Sequence, residues 1–267
     1  MLFDTHAHYD DDRFDGDLDS IMGAMPGAGV SYILNASSSV RAAKKGLAIA
    51  EKYPFVYASV GVHPHDAKDM DGGSIGEMEA LLRHPKAVAV GEIGLDYHYD
   101  FSPRGVQRER FVEQLEMAAR VGKPVIIHER EARGDTLEII GKYPGLTGVV
   151  HCFSGDWETA QIILGMGWYL SFTGVITFKN ARSALEAAAR APIERIMLET
   201  DSPYLSPEPV RGGRNSSLNL IHIARKLADA RGMSVEALAA ATTENAGRFF
   251  GIRECSPTAE KRGDHVL

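Results

Sequence analysis

The feature that most constrains this 267-residue chain is the repeated alternation of short apolar runs with helix-length amphipathic segments. The runs are rich in valine and isoleucine and lack a polar–apolar alternation, which is typical of parallel strands buried on both faces. They cover residues 2–3, 30–34, 55–62, 87–90, 124–127, 146–150, 168–172 and 193–198. Eight helical segments alternate with these runs, among them residues 40–52 and 157–165. The pattern predicts an α/β fold, a (β/α)8 TIM barrel, with an open doubly wound sheet as the alternative.

The length of the chain fits one such barrel, which takes roughly 250 residues. No linker-like break interrupts the pattern, so we expect a single domain over residues 1–252. Residues 234–250 read as an extra C-terminal helix after the barrel, with Ser234 as its N-cap. Residues 253–267 are polar and lack periodicity, which predicts a C-terminal tail.

Composition limits the classes of partner. The chain has 29 Lys and Arg against 36 Asp and Glu, a net charge of −7, which argues against a protein that coats nucleic acid by bulk charge. No apolar run reaches the roughly 18 residues of a membrane span, so no membrane partner is expected. The N-terminus lacks signal-peptide features and two cysteines make no disulfide framework, so we expect a cytoplasmic protein. The oligomeric state is left open, a monomer being compatible with the sequence.

Chemistry-bearing side chains gather at the predicted strand ends. Those that follow predicted strands 1, 4, 5, 6 and 8 are His6, His8, Glu92, His128, His151 and Asp201. Taken singly, each is also explained as a structural polar group. In a barrel, however, the carboxyl ends of the strands converge on one face, where active sites lie. Four imidazoles and two carboxylates in one bowl call for cations, and this mixture of nitrogen and oxygen ligands suits two divalent ions, zinc or manganese rather than magnesium alone.

Several linked motifs carry a resemblance to a known family. They are Asp4-Thr5-His6-Ala7-His8, Gly61-Val62-His63-Pro64-His65, Gly91-Glu92-Ile93-Gly94-Leu95-Asp96, His128, His151-Cys152-Phe153-Ser154-Gly155 and Glu199-Thr200-Asp201-Ser202-Pro203-Tyr204-Leu205. In order and spacing the chain resembles the TatD family of metal-dependent deoxyribonucleases, which belongs to the amidohydrolase-like barrels. The resemblance runs from about residue 1 to residue 252.

The resemblance implies a hydrolase with two divalent metal ions, zinc, manganese or magnesium. His6 and His8, with Glu92 and Asp201, would hold one ion, and Glu92, His128 and His151 would hold the other. Glu92 would bridge the ions in place of the carboxylated lysine of many amidohydrolase barrels. Asp201 would orient or deprotonate the attacking water, so Asp201 and Glu92 are the expected catalytic residues.

Candidate substrate contacts come from two loops. The resemblance points to His63 as a phosphate or substrate contact. In the glycine-rich segment after strand 8, arginines can reach phosphates bidentately, and we assign Arg211 and Asn215 as substrate contacts, while Arg214 is equally well explained as a solvated side chain. The family usually continues this loop with an acidic residue and a proline, whereas this chain has Ser216-Ser217.

Other residues near the predicted site admit two interpretations. Asp96 either orients a ligand imidazole or holds the loop that follows it. His65 either supports the site or makes a structural hydrogen bond. The aromatic cluster after strand 4 either stacks a base or packs the rim of the barrel; its members are Tyr97, His98, Tyr99 and Phe101.

The resemblance implies a metal-dependent deoxyribonuclease, most simply a 3′-to-5′ exonuclease on single-stranded DNA. No recognition module is visible, so we expect DNA to be bound without sequence specificity. The alternative is hydrolysis of an amide, lactone or aminoacyl ester, as by a D-aminoacyl-tRNA deacylase-like enzyme, because fold does not decide substrate. An inactive binding protein is disfavoured because all six proposed ligands are present.

Overall fold

A computed structural model describes residues 1–252, and the predicted tail, 253–267, lies outside the described residues. Within that range the strands form one parallel sheet in chain order. The strands are β1 Leu2–Ala7, β2 Val30–Asn35, β3 Val56–Val60, β4 Ala87–Asp96, β5 Val125–Arg130, β6 Gly148–Val150, β7 Tyr169–Phe172 and β8 Ile196–Leu198. The segment after β8 returns to β1, where Asp201 N donates to His6 O at 2.8 Å and His8 N donates to Ser202 O at 2.7 Å. The predicted (β/α)8 barrel is confirmed.

Helices follow the strands on the outside of the sheet. They are α1 Leu18–Ala24, α2 Val40–Lys52, α3 Ser74–Leu81, α4 Arg104–Val121, α5 Arg133–Ile140, α6 Trp157–Gly165, α7 Arg182–Arg190, α8 Leu220–Arg231 and α9 Val235–Phe250. Side-chain caps begin several of them: Ser39 accepts from Ala42 N, and Asp156 accepts from Thr159 N. Gly122 ends α4 in the left-handed conformation. Within residues 1–252, no helix is both long and apolar enough to cross a membrane.

The extra C-terminal helix, α9, covers the amino-terminal end of the barrel. Ser234 caps it as predicted, because its side chain accepts from Ala237 N. Its buried Phe249 packs edge-to-face on Tyr169, the first residue of β7, with ring centroids 5.3 Å apart. Its neighbour Phe250 contacts the ring of Phe3 at 5.7 Å. Helix α9 leaves the opposite, carboxyl-terminal end of the barrel uncovered, and the polar residues of the predicted site lie at that end.

Strand β4 differs most from the prediction. It runs from Ala87 to Asp96, six residues beyond the expected end, and its register pairs Gly94 with His128. Glu92 therefore lies inside β4, and His128 inside β5, rather than after their strands. A polar residue after an apolar run suggests that the strand has ended. In a barrel, however, alternate side chains of a strand can point into the barrel mouth while the backbone continues to pair with the neighbouring strand.

Candidate metal centre

The structure brings all six predicted ligand residues together at the carboxyl-terminal end of the barrel. They come from five elements: His6 in β1 and His8 after it, Glu92 in β4, His128 in β5, His151 after β6, and Asp201 after β8. Glu92 is 3% exposed and His6 is fully buried. A buried carboxylate is costly unless it is paired or binds a metal, so this convergence indicates a functional centre.

Four side-chain atoms face one another in the first ligand set. His6 Nε2 lies 3.2 Å from His8 Nε2 and 3.3 Å from Glu92 Oε2. Asp201 Oδ1 lies 3.3 Å from His8 Nε2 and 3.8 Å from His6 Nε2. His8 Nε2 also lies 3.8 Å from Glu92 Oε2. The nitrogens of His6 and His8 thus lie close to one oxygen of Glu92 and to one oxygen of Asp201, and His6, His8 and Glu92 form a group able to hold one ion.

The first set fits a small divalent cation. In a tetrahedral site with metal–ligand bonds of about 2.0–2.1 Å, ligand atoms are about 3.3–3.4 Å apart. The five measured separations range from 3.2 to 3.8 Å. The carbonyl of Ala36 can only accept, so it takes the proton of His8 Nδ1 at 3.0 Å. In the neutral ring, the form that binds a metal, the lone pair of His8 Nε2 is then left to face the centre.

A second set surrounds the other oxygen of the same carboxylate. Glu92 Oε1 lies 2.8 Å from both His128 Nδ1 and His151 Nε2, and these nitrogens are 3.4 Å apart. His63 Nε2 is more distant from Glu92 Oε1, at 3.5 Å. His128 and His151 thus converge on Oε1 while His6 and His8 converge on Oε2. Glu92 joins the two sets.

The imidazoles around Glu92 also set its charge. Burial disfavours the carboxylate, but the neighbouring imidazoles, His151 foremost, outweigh burial and hold the pKa of Glu92 well below its usual range. Burial opposes ionisation of Asp201 too, yet its hydrogen bond with His8 keeps the pKa of Asp201 lowered. Both carboxylates are therefore anionic near neutral pH, the form in which oxygen binds a cation.

Asp201 occupies an unusual backbone conformation. Its φ is +55°, in the left-handed region that few non-glycine residues adopt. Backbone hydrogen bonds hold it there: Asp201 N donates to His6 O, and Tyr204 N donates to Asp201 O at 2.9 Å. The preceding Thr200 is fixed by Asp4, whose carboxylate accepts from Thr200 N at 2.9 Å and from Thr200 Oγ1 at 2.5 Å. The carboxylate of Asp201 is thus presented to the centre by a rigid turn.

Asp96 satisfies both interpretations offered by the sequence. Its Oδ2 lies 3.1 Å from His128 Nε2 and 3.0 Å from His65 Nε2. Its Oδ1 accepts the backbone N–H groups of His98 and Tyr99 at 3.0 and 2.9 Å. Asp96 therefore orients the His128 imidazole and holds the following loop at once, and His65 supports it from the other side.

Sequence reasoning assigned no role to Glu199, which the structure places in the centre. Its Oε1 lies 3.3 Å from His151 Nδ1 and accepts from Cys152 N at 2.5 Å. Glu199 is 1% exposed, so its carboxylate is available only to these inner neighbours. The signal that could have identified it is the one used for Glu92, a carboxylate at the end of an apolar strand.

Some residues of the predicted substrate loop lie on the surface and others lie inside the protein. The Arg211 side chain is 57% exposed and lies over the Phe178 ring. Arg214 pairs with Asp17 through two hydrogen bonds, so it is less free than a solvated arginine. Asn215 is fully buried, and its amide donates to Thr200 O at 3.0 Å and to Tyr204 O at 2.7 Å. Asn215 is thus engaged inside the protein, where it bonds the turn around Asp201, and its predicted contact with substrate stays a prediction.

Of the two serines that depart from the family pattern, Ser217 has a structural role. Ser217 Oγ donates to Asp4 Oδ2 at 2.5 Å and accepts from the Tyr9 hydroxyl at 2.8 Å. Ser217 therefore belongs to the buried network that fixes Thr200. The loop around Ser216 and Ser217 is held from within.

The chain is similar to known proteins over nearly its whole length. A family model described as TatD related DNase matches residues 3–251. The chain is 39% identical to the metal-dependent hydrolase YabD of Bacillus subtilis, over 94% of this chain and 100% of that protein. It is 35% identical to a 3′-5′ ssDNA/RNA exonuclease TatD of Cronobacter sakazakii, over 96% of this chain and 100% of the relative. The crystal structure of YjjV, a TatD homologue from Escherichia coli, aligns with a TM-score of 0.88 and 29% identity, covering 94% of this chain and 98% of that one.

Proposed function

This chain belongs to the TatD family of metal-dependent hydrolases, and on that premise we propose that it is a two-metal nuclease that removes nucleotides from the 3′ end of single-stranded DNA. The observation that carries the proposal is the Glu92 carboxylate. Its Oε2 faces His6 and His8, and its Oε1 faces His128 and His151. One carboxylate with a separate set of imidazoles at each oxygen is suited to two neighbouring cations.

The proposed ligands follow from these contacts. His6, His8, Glu92 and Asp201 would hold one ion, and Glu92, His128 and His151 would hold the other. When bound, zinc, manganese or magnesium ions supply the positive charge that offsets a phosphodiester and lowers the pKa of the attacking water. Glu92 keeps the two sets together and stays anionic, while Asp96 orients His128 and the Glu199 carboxylate lies 3.3 Å from His151 Nδ1.

Asp201 is the proposed proton acceptor. Its Oδ1 faces His8 and His6, and its side chain is 15% exposed, so water entering the mouth of the barrel can reach the carboxylate and give up a proton to it. The lowered pKa leaves Asp201 ionised and ready for this step. The rigid turn around Asp201 keeps the carboxylate in place as the proton moves.

His63 is the proposed phosphate contact. Its Nδ1 accepts from His65 N at 3.1 Å, so in the neutral ring the proton resides on Nε2. Burial and the neighbouring imidazoles lower the pKa of His63 well below its usual value, which keeps the ring neutral. A neutral Nε2–H is a hydrogen-bond donor and not a metal ligand, which suits a phosphate oxygen. Arg211 provides a second, exposed donor after β8.

The names of the relatives favour nucleic acid as the substrate. One relative is named as a 3′-5′ exonuclease of single-stranded DNA and RNA. The acidic chain lacks the bulk positive charge of a nucleic-acid coat. Cations in the centre and single arginines can provide the local charge that weak, sequence-independent binding of one strand requires.

The test uses metal-stripped protein reloaded with manganese or zinc. Single-stranded DNA labelled at either end is followed on a gel, beside a panel of aminoacyl esters and lactones. We expect a 3′ label to leave at once as mononucleotide, and a 5′-labelled strand to give a descending ladder. His128→Ala should lose this activity, whereas His84→Ala, a matched change at a histidine that pairs with Glu51 on the surface, should keep it. Ester or lactone turnover without DNA cleavage would overturn the nuclease proposal.

A further inference from the structure

Exposed aromatic rings are concentrated at the mouth of the barrel. Among residues 1–252, the phenylalanine, tyrosine and tryptophan side chains that are strongly exposed are Tyr99, Phe101 and Tyr204, at 47%, 56% and 47%. All three lie beside histidines of the centre. Exposing such rings forgoes the free energy of burying them, so their placement around one site indicates a ligand with flat apolar faces.

Tyr99 and Phe101 form a platform next to the second ligand set. Their rings are nearly parallel, with an interplanar angle of 20° and centroids 5.2 Å apart. Both contact the His65 ring, at 5.4 and 4.8 Å. The His65 ring lies 6.3 Å from His128, and both imidazoles bond the same Asp96 oxygen. One imidazole thus separates the Tyr99–Phe101 platform from a proposed metal ligand.

Tyr204 lies next to the first ligand set, as Tyr99 and Phe101 lie next to the second. Its ring meets His8 edge-on, with centroids 6.3 Å apart. The guanidinium of Arg13 lies 4.3 Å from the centre of the Tyr204 ring and is held by Asp11. Exposed rings therefore border the centre on both sides of Glu92.

Cations accompany the platform. The Arg130 guanidinium lies 4.8 Å from the Tyr99 ring centre, and Lys68 Nζ donates to Phe101 O at 3.0 Å. Both side chains belong to exposed residues. Aromatic faces interleaved with cations are the features that bind single-stranded nucleic acid, because the rings stack on bases and the cations attract phosphates. A single-stranded nucleic acid fits this chemistry better than a small acyl ester, which has no base to stack.

We propose that Tyr99 and Phe101 form a base-stacking subsite for an unpaired base next to the cleaved phosphodiester, and that Tyr204 receives the base on the other side. The inference rests on the proposed nuclease function and adds the reason for selecting single strands. A base inside a duplex already stacks on its neighbours, so only an unpaired base reaches the platform without the cost of unstacking.

The test measures steady-state kinetics of Phe101→Ala, Tyr99→Ala and the double variant on single-stranded oligonucleotides. We expect KM to rise by roughly 5- to 150-fold, the range for loss of one base–aromatic stack. Phe101→Trp should retain the wild-type KM, because it keeps a stacking face. Ile162→Ala is the matched control, since Ile162 is 49% exposed on α6, away from the centre, and should change nothing.

Substrates that lack single bases separate stacking from other causes. An oligonucleotide with an abasic residue at either of its last two 3′ positions removes one base and keeps the phosphates. If the platform stacks a base, the penalties of the abasic residue and of Phe101→Ala are not additive at one of these positions. Fully additive penalties at both positions, or an unchanged KM in the double variant, would overturn the subsite.

A binding measurement keeps the subsite distinct from the nuclease proposal. Protein in EDTA is titrated into a strand with 2-aminopurine near its 3′ end, whose fluorescence falls when the base stacks. We expect quenching by the wild-type protein that is lost in the double platform variant and retained in Ile162→Ala. This readout decides the subsite even if no metal supports DNA cleavage, whereas absent cleavage alone contradicts the nuclease. Equal quenching by wild type and double variant would contradict the platform.

Discussion

The Nε2 atom of His128 lies 3.1 Å from the Oδ2 atom of Asp96. Because an ionised carboxylate only accepts, this contact fixes the proton on Nε2 and leaves Nδ1 facing Glu92 Oε1. The other oxygen of Asp96 binds the backbone that carries Tyr99. A single carboxylate therefore sets the orientation of a proposed metal ligand and the position of the aromatic platform.

Replacing Asp96 by asparagine should weaken one metal site. The asparagine side chain has one acceptor oxygen where the Asp96 carboxylate has two. The His128 ring would therefore lose its fixed orientation. We expect the affinity for the second ion to fall by about 10- to 100-fold while the first is retained. Calorimetric titration of manganese measures both sites. Asp100→Asn is the matched control, because Asp100 pairs with Arg104 at the surface. Equal affinities in Asp96→Asn and wild type would exclude this role.

Gly94 should not tolerate a side chain. Its φ is +143°, and a Cβ would overlap the carbonyl oxygen of His128 on the neighbouring strand. We expect Gly94→Ala to lower the free energy of unfolding by at least about 1 kcal/mol, measured by urea denaturation, because β4 or β5 must shift. Gly134→Ala is the control: it lies in α5 with nothing near the added methyl group, so alanine should stabilise by up to about 1 kcal/mol. A Gly94→Ala protein of wild-type stability would rule out the close approach.

Arg211 should contribute one phosphate contact. For a single strand, each neutralised phosphate changes the slope of log affinity against log salt by about 0.7. Arg211→Gln should reduce the slope by this amount and weaken binding of all sequences alike. Fluorescence anisotropy of a labelled oligonucleotide at several salt concentrations measures it. Arg190→Gln, which removes a surface pair with Glu186 on α7, should keep the wild-type slope. An unchanged slope in Arg211→Gln would place Arg211 outside the binding surface.

The sequence predicts elements best where their ends carry local chemical signals. Helices α2 and α6 have their predicted bounds, Val40–Lys52 and Trp157–Gly165. Ser39 and Asp156 cap them through bonds within three residues, which a sequence displays directly. The sequence pattern ends strand β4 too early because the rest of the strand depends on pairing with β5, a contact made across more than 30 residues of chain.

The residues of the metal centre also differ in how well the sequence predicts them. The six proposed ligands are recognisable because each follows or interrupts an apolar run. The burial of a polar side chain in a loop leaves no such pattern in the sequence. For this reason the sequence suggests a substrate contact for Asn215, although the structure shows it to be fully buried. The partner of a side chain is also hidden: nothing in the sequence shows that Glu199 meets His151, or that Arg214 meets Asp17.

Counting metal ions in wild type and Glu92→Gln tests most directly whether Glu92 joins two sites. Glutamine keeps the shape of the side chain but replaces one oxygen by an amide nitrogen and removes the charge. Mass spectrometry after manganese loading should give two ions per wild-type chain and fewer than two in Glu92→Gln, with DNA cleavage lowered at least about 100-fold. Glu138→Gln, at an exposed glutamate paired with Lys142, should match wild type. Two ions and wild-type cleavage in Glu92→Gln would contradict the bridge.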